Sequence, residues 1–176
     1  IVIYREYYGW TGKSNEGIRM ELADIAKNTM EMQQGEVMNM QVADPAIFDE
    51  SRKNMGMTHA EEMEKYGCPY VRADNNRVAG WQQIRARFKG VENKPLIFIM
   101  TSCKSLIRTV PIMQHDKAKP EDLDTKLEDH ALDTLRYLCM SRPLTIELPK
   151  DLLGIAEQWQ KDFNPHNVRK QLMNKK

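Results

Sequence analysis

Three aspartates have the types and positions from which hard-cation chemistry could be built: Asp44, Asp129 and Asp133. Asp44 closes the alternating stretch "EVMNMQVAD" (36–44), and Pro45 forbids a continued ladder there. In open α/β sheets the carboxyl ends of strands are where sites lie. Alternation puts Asp44 on one face with Met38, Met40 and Val42, so its carboxylate sits at the rim of an apolar surface and needs a partner, of which a cation is one. A turn aspartate that caps the next segment through its own backbone has the same signature. Asp129 and Asp133 stand four apart in "TKLEDHALDTLRYLC" (125–139), on one side of a helix whose other side carries Leu127, Ala131, Leu135 and Leu138. An acid in a first turn also complements the helix dipole without any ligand.

Together, a strand-end acid and a helix-start pair with no histidine or cysteine cluster form an oxygen-only donor set suited to Mg²⁺ or Mn²⁺. Phosphodiester hydrolysis uses such carboxylates to hold two metals roughly 3.5–4 Å apart. His59, His115, His130 and His166 are scattered, and His130 alone adjoins a candidate acid. Arg72, Arg77, Arg85, Arg87, Lys89, Lys104 and Arg108 fall in the middle third with Trp81 among them, a composition that contacts a DNA backbone or forms solvated helix faces.

The elements that must position these residues follow from periodicity. Helical spacing covers Glu16–Gln34, closed by Gly35, and Arg77–Phe88. Thr58-His59-Ala60-Glu61 is a capping box for a short helix ending at Gly67, and Thr125-Lys126-Leu127-Glu128 is a second, for a helix running to about Cys139. Strands are expected at 36–44, 69–73 and 95–101, the last being the most apolar run. A helix over Ser102–Gln114 is broken or kinked at Pro111, and 115–126 is a polar linker. Strands alternating with helices indicate an α/β layer fold. Residues 1–146 are expected to form one domain; 147–176 add an amphipathic helix (Asp151–Phe163) and a basic tail.

The loop "YYGWTGKSNEG" (7–17) ends its first half in Gly12-Lys13-Ser14, like a phosphate-binding loop. That loop requires G-x-x-x-x-G-K-[ST], and Tyr7 stands where its first glycine belongs, so an ordinary connection is expected. With 41% hydrophobic and 29% charged residues the 176-residue chain has an ordinary globular composition, and no apolar run is long enough to span a bilayer. Its net charge of +1 means that nucleic-acid binding needs a local basic face. Cys68, Cys103 and Cys139 are odd in number and far apart, as buried thiols in a reducing compartment are. A start inside the strand-like run "IVIYREYY" reads as a fragment.

Five blocks, "YREYYGWTGKSNEG", "ADPAIFDES", "ADNNRVAGWQQIRARF", "IFIMTSCKSLIRTVPIMQHD" and "DTKLEDHALDTLRYLCMSRP", together resemble the C-terminal nuclease domain of tailed-phage large terminase subunits over roughly residues 3–143. The resemblance implies a ribonuclease H-like mixed sheet flanked by helices, and a nuclease that cuts concatemeric viral double-stranded DNA during packaging in the host cytoplasm. It implies two divalent ions, Mg²⁺ or Mn²⁺, held by Asp44 and Asp129, with Asp133 as an alternative ligand, and DNA contacts from Arg72, Arg77, Lys104 and Arg108. Asp74 matches a recurrent block without an assigned role. Implied partners are an upstream ATPase domain, the small terminase subunit and the portal, with no membrane. The family's first catalytic aspartate lies on a strand before "REYYG", so this stretch is expected to bind metal weakly and to cleave poorly, with Glu6 the nearest substitute acid. A non-catalytic DNA- or portal-binding module, or another ribonuclease H-like enzyme such as a resolvase or transposase core, is the alternative.

Overall fold

A computed structural model describes residues 1–50, 56–92, 94–124 and 126–144. The chain divides into two compact units, Ile1–Pro143 and Leu144–Lys176, a boundary three residues before the expected one. The expected helix Asp151–Phe163 and basic tail lie outside the described residues.

The first unit is mixed α/β, and among the described residues it has five α-helices and two small parallel sheets. In chain order the elements are β1 (Val2–Ile3), α1 (Leu22–Met32), β2 (Val42–Ala43), α2 (His59–Lys65), β3 (Val71–Arg72), α3 (Arg77–Lys89), β4 (Phe98–Ile99), α4 (Lys104–Thr109) and α5 (His130–Ser141). β1 pairs with β4, Val2 opposite Phe98, and β2 pairs with β3, Val42 opposite Val71. One mixed sheet was the expectation; the described residues instead carry two separate pairs. Each ladder is only two residues long, far shorter than the stretches 36–44 and 95–101 that alternate in sequence. The outer edges of β1 and β2 meet no strand among the described residues, and a two-stranded ladder alone has little to propagate it.

Local chemistry explains most helix limits. Thr58 and Glu61 form the reciprocal capping box of α2, as their spacing predicts, and Gly67 supplies the left-handed φ of +88° just beyond its end. The Asn76 side chain caps α3 at the Ala79 N–H. α1 starts at Leu22, six residues later than expected, because the preceding stretch folds back on the loop: Trp10 bridges Gly17, and the Ile18 N–H donates to the Gly9 carbonyl. α4 gives way to a 3₁₀ turn (Val110–Ile112) at Pro111.

The main core joins Trp81 and Ile84 of α3, Leu106 of α4, Leu132, Leu135 and Cys139 of α5, and Ile97, with Ile1 and Ile3 packed against it. A second cluster of Ala26, Met63 and Cys68 lies between α1 and α2. All three cysteines are buried free thiols. Along β1 runs a groove of about 490 Å³, bounded by Met32 and Gln33 at the end of α1, by Glu36 and Met38 on the way to β2, and by Leu138 and Arg142. Glu36 spans it, accepting from the Tyr4 hydroxyl at 2.8 Å and pairing with Arg5. Among the described residues no helix is long and apolar enough to cross a membrane.

Candidate functional site

α3 and α5 position the acids. α5 opens at His130, five residues after the expected cap: Thr125 lies outside the described residues, and Glu128 is drawn away to other partners. Asp129 is therefore the N-cap residue rather than a first-turn residue, and its side chain makes no capping bond. Asp129, Asp133 and Tyr137 recur every four residues and so form one stripe along the helix.

Arg77 meets the first part of that stripe. It is the first residue of α3, where a cation faces the positive end of the helix dipole and needs compensation. Its Nε donates to both Asp122 oxygens at 3.0 Å, its Nη1 to both Asp133 oxygens at 3.4 Å, and its Nη2 lies 3.8 Å from Asp129 Oδ2. Asp122 also accepts from the Trp81 indole at 2.7 Å. Burial works against the charge on Arg77, but the bond to Asp122 and the fields of Asp133, Asp122 and Asp129 outweigh it and raise its pKa. Burial likewise opposes the Asp122 anion, yet donation from Trp81, the Leu123 N–H and Arg77 pulls its pKa down overall. Asp129 goes the other way: burial first, then the Asp133 charge, raise its pKa against the pull of His130 and Arg77.

Arg136 extends the network. Its side chain is fully buried, its Nε donates to Asp133 Oδ1 at 3.0 Å, and its Nη2 donates to Asn75 Oδ1 at 3.0 Å. The next residue, Tyr137, donates its hydroxyl to Asp44 Oδ2 at 2.5 Å and sits 3.4 Å from Asn75 Oδ1. Burial and the bond to Asp44 push the Tyr137 phenol up to about 12. The other Asp44 oxygen accepts from the Ala46 N–H at 2.7 Å, so Asp44 both caps its own turn and holds a distant partner.

Asp44 thus reaches the α5 stripe at Tyr137, eight residues and about 12 Å of helical rise beyond Asp129. Among the described residues no group of three or more His, Cys, Asp or Glu side chains is set to hold a metal ion. Asp74 is exposed and caps its own turn at the Asn76 N–H, 2.9 Å away. Glu6 caps α4, accepting from the Ser105 and Leu106 N–H groups at 2.6 and 3.0 Å, so both its oxygens are engaged.

Of the four expected DNA contacts, two are exposed and two are engaged by carboxylates. Lys104 is exposed at the start of α4, and Arg72 is exposed over the Phe48 ring. Arg77 is committed to the acids above. Arg108 grips the buried Glu128 with both Nη atoms, at 2.5 and 3.1 Å, and its guanidinium lies 4.2 Å from the Trp10 ring centroid. Tyr8 donates to the same carboxylate at 2.8 Å. Arg108 foremost, with help from Tyr8 and against burial, holds Glu128 down at about 2. The loop 7–17 is therefore a clamp on the start of α5 and not a phosphate cradle, and its Asn15 also donates to the Lys126 carbonyl.

Sequence reasoning missed Asn75, Asp122, Glu128, Arg136 and Tyr137. Two signals pointed there: Tyr137 continues the four-residue spacing of the acids, and a cation in the first position of a helix calls for carboxylates nearby. No family model, curated protein or solved structure matches this chain.

Proposed function

We propose that this chain is the nuclease domain of a DNA-packaging terminase large subunit, a ribonuclease H-like endodeoxyribonuclease that uses divalent metal and cuts concatemeric double-stranded DNA. One observation carries the reading. Three of the resembling blocks, far apart in sequence, meet in one hydrogen-bonded network: Asp44 from the first, Asn75 and Arg77 from the second, and Asp133, Arg136 and Tyr137 from the third.

The donor atoms are hard carboxylate oxygens, the right chemistry for Mg²⁺ or Mn²⁺. Their arrangement is not right for such an ion: Asp122, Asp129 and Asp133 surround a guanidinium. That same engagement favours the second reading, a non-catalytic DNA- or portal-binding module in which the acids are structural.

The deciding experiment substitutes Asp44→Asn and Asp129→Asn in the complete protein and follows plasmid nicking with Mn²⁺, checking folding by circular dichroism. Cleavage lost in folded variants supports the nuclease. Cleavage unchanged in both leaves the binding module.

A further inference from the structure

We propose that the surface pocket between the loop 7–17 and the start of α5 holds one unpaired pyrimidine base of DNA, cytosine in preference to thymine. This deepens the DNA-cutting reading above and rests on it, adding a contact to a base where that reading has contacts to the backbone.

The pocket encloses about 140 Å³ and is lined by Tyr8, Trp10, Asn15, Glu16 and His130, together with Gly9 and Gly17. A cavity of roughly 150 Å³ takes a single six-membered aromatic ring, whereas sites for larger ligands begin at roughly 300 Å³. The aromatic lining is fixed before any ligand arrives. The Tyr8 hydroxyl is held by Glu128 and the Trp10 indole N–H by the Lys13 carbonyl, each at 2.8 Å. Arg108 lies 4.2 Å from the Trp10 ring centroid and takes one face of the indole, which leaves the other face for a base to stack on. The Trp10–Gly17 bridge and the Ile18 N–H bond to Gly9 close the loop on itself. A site built this way loses little freedom when it binds.

Its polar groups choose the base. Asn15, at a left-handed φ of 59°, donates from Nδ2 to the Lys126 carbonyl and so offers its amide oxygen to a ligand. Glu16 lies 3.6 Å from the Lys13 ammonium, too far for a hydrogen bond, and its carboxylate is free to accept. Acceptors select an amino group, which cytosine carries at N4 where thymine has the acceptor O4. His130, exposed as the first residue of α5, has a ring N–H in either protonation state for the acceptors of the pyrimidine ring. Lys13 and Lys126, whose carbonyls the loop already holds, are exposed cations for the flanking phosphates.

The test is fluorescence anisotropy in EDTA with short labelled duplexes carrying a bulged cytosine, a bulged thymine or an abasic bulge. The bulged cytosine is expected to bind about tenfold tighter than the abasic bulge, the scale of one base stacked on an aromatic side chain. Trp10→Ala should erase that difference, and Glu16→Gln should erase the preference for cytosine over thymine. Equal binding of the cytosine and abasic bulges by the wild type overturns the proposal, as does a folded Trp10→Ala that keeps the difference. If Trp10→Ala fails to fold, the wild-type comparison and Glu16→Gln, a change at an exposed side chain, decide: a cytosine preference intact in Glu16→Gln overturns the proposal. Deoxycytidine monophosphate binding as tightly as the bulged duplex would make this a mononucleotide pocket and overturn the DNA assignment. No arm reads cleavage, so a failed pocket leaves the nuclease reading to be judged by the Asp44 and Asp129 variants.

Discussion

The Tyr137 hydroxyl donates to the Asp44 carboxylate at 2.5 Å across 93 positions of sequence, joining the end of β2 to the middle of α5. A charge-assisted bond of this length is among the stronger ones available to a side chain, but Asp44 is exposed and water competes for it. Tyr137→Phe is therefore expected to cost about 1 kcal/mol in urea unfolding. Burial foremost, and then the same bond, delay the ionisation of Tyr137. Tyr8 is likewise pushed up to about 12, so absorbance at alkaline pH should show a late step whose amplitude falls in Tyr137→Phe. An undiminished late step would remove Tyr137 from this role.

Gly80 of α3 lies directly against Arg136 of α5. A Cβ there would lie 2.3 Å from Arg136 Cγ and 2.7 Å from its Cδ. Arg136 cannot step aside, being fully buried and held by Asp133 and Asn75. Gly80→Ala is expected to destabilise by about 2 kcal/mol, although alanine in an exposed helix would gain about 1 kcal/mol over glycine. A variant as stable as wild type in urea would show that the Arg136 network is soft.

How far the sequence reached depends on the range of each interaction. α2, with its capping box, and α3, read as Arg77–Phe88 and found as Arg77–Lys89, are set by neighbours within four residues. Asp44 at a strand end was legible because Pro45 stops the ladder beside it. The start of α5 was not, because its decisive residue is held by Arg108 and Tyr8, 20 and 120 positions away. Arg77 has the composition of a phosphate contact, and only the packing of α3 on α5 turns it toward three acids. The strands shrank for the same reason: alternation marks which residues suit a sheet, while ladder length depends on partners supplied from elsewhere.

Glu128 should govern acid stability. Its pKa is lowered from 4.5 to about 2, so the folded state holds the anion more tightly than the unfolded chain does. Its contribution is then fully present above about pH 4.5 and is lost as pH falls toward 2. Glu128→Gln is expected to be less stable at neutral pH and to show a shallower loss between those limits in thermal melts recorded by pH. An acid limb identical to that of wild type would assign the transition to other carboxylates. Arg108→Lys, which keeps the charge but loses the two-point grip, should fall between the two.

Asp129 and Asp133, alike in the sequence, should part under the same substitution. Asp129 has a raised pKa, so its ionised form costs the fold stability at neutral pH, and that cost is relieved as pH falls through its folded value. An amide avoids the cost at every pH, and its loss of charge gives up only the 3.8 Å approaches of His130 and Arg77. Asp129→Asn is expected to be neutral or mildly stabilising. Asp133 instead balances Arg136, whose side chain is fully buried, and it also faces Arg77. Removing that carboxylate leaves a buried cation short of its counter-charge, a loss of about 3 kcal/mol. Urea unfolding of the two variants at neutral pH checks the ordering. If Asp129→Asn proves the more damaging, the charge balance of the cluster runs through Arg77 rather than Arg136.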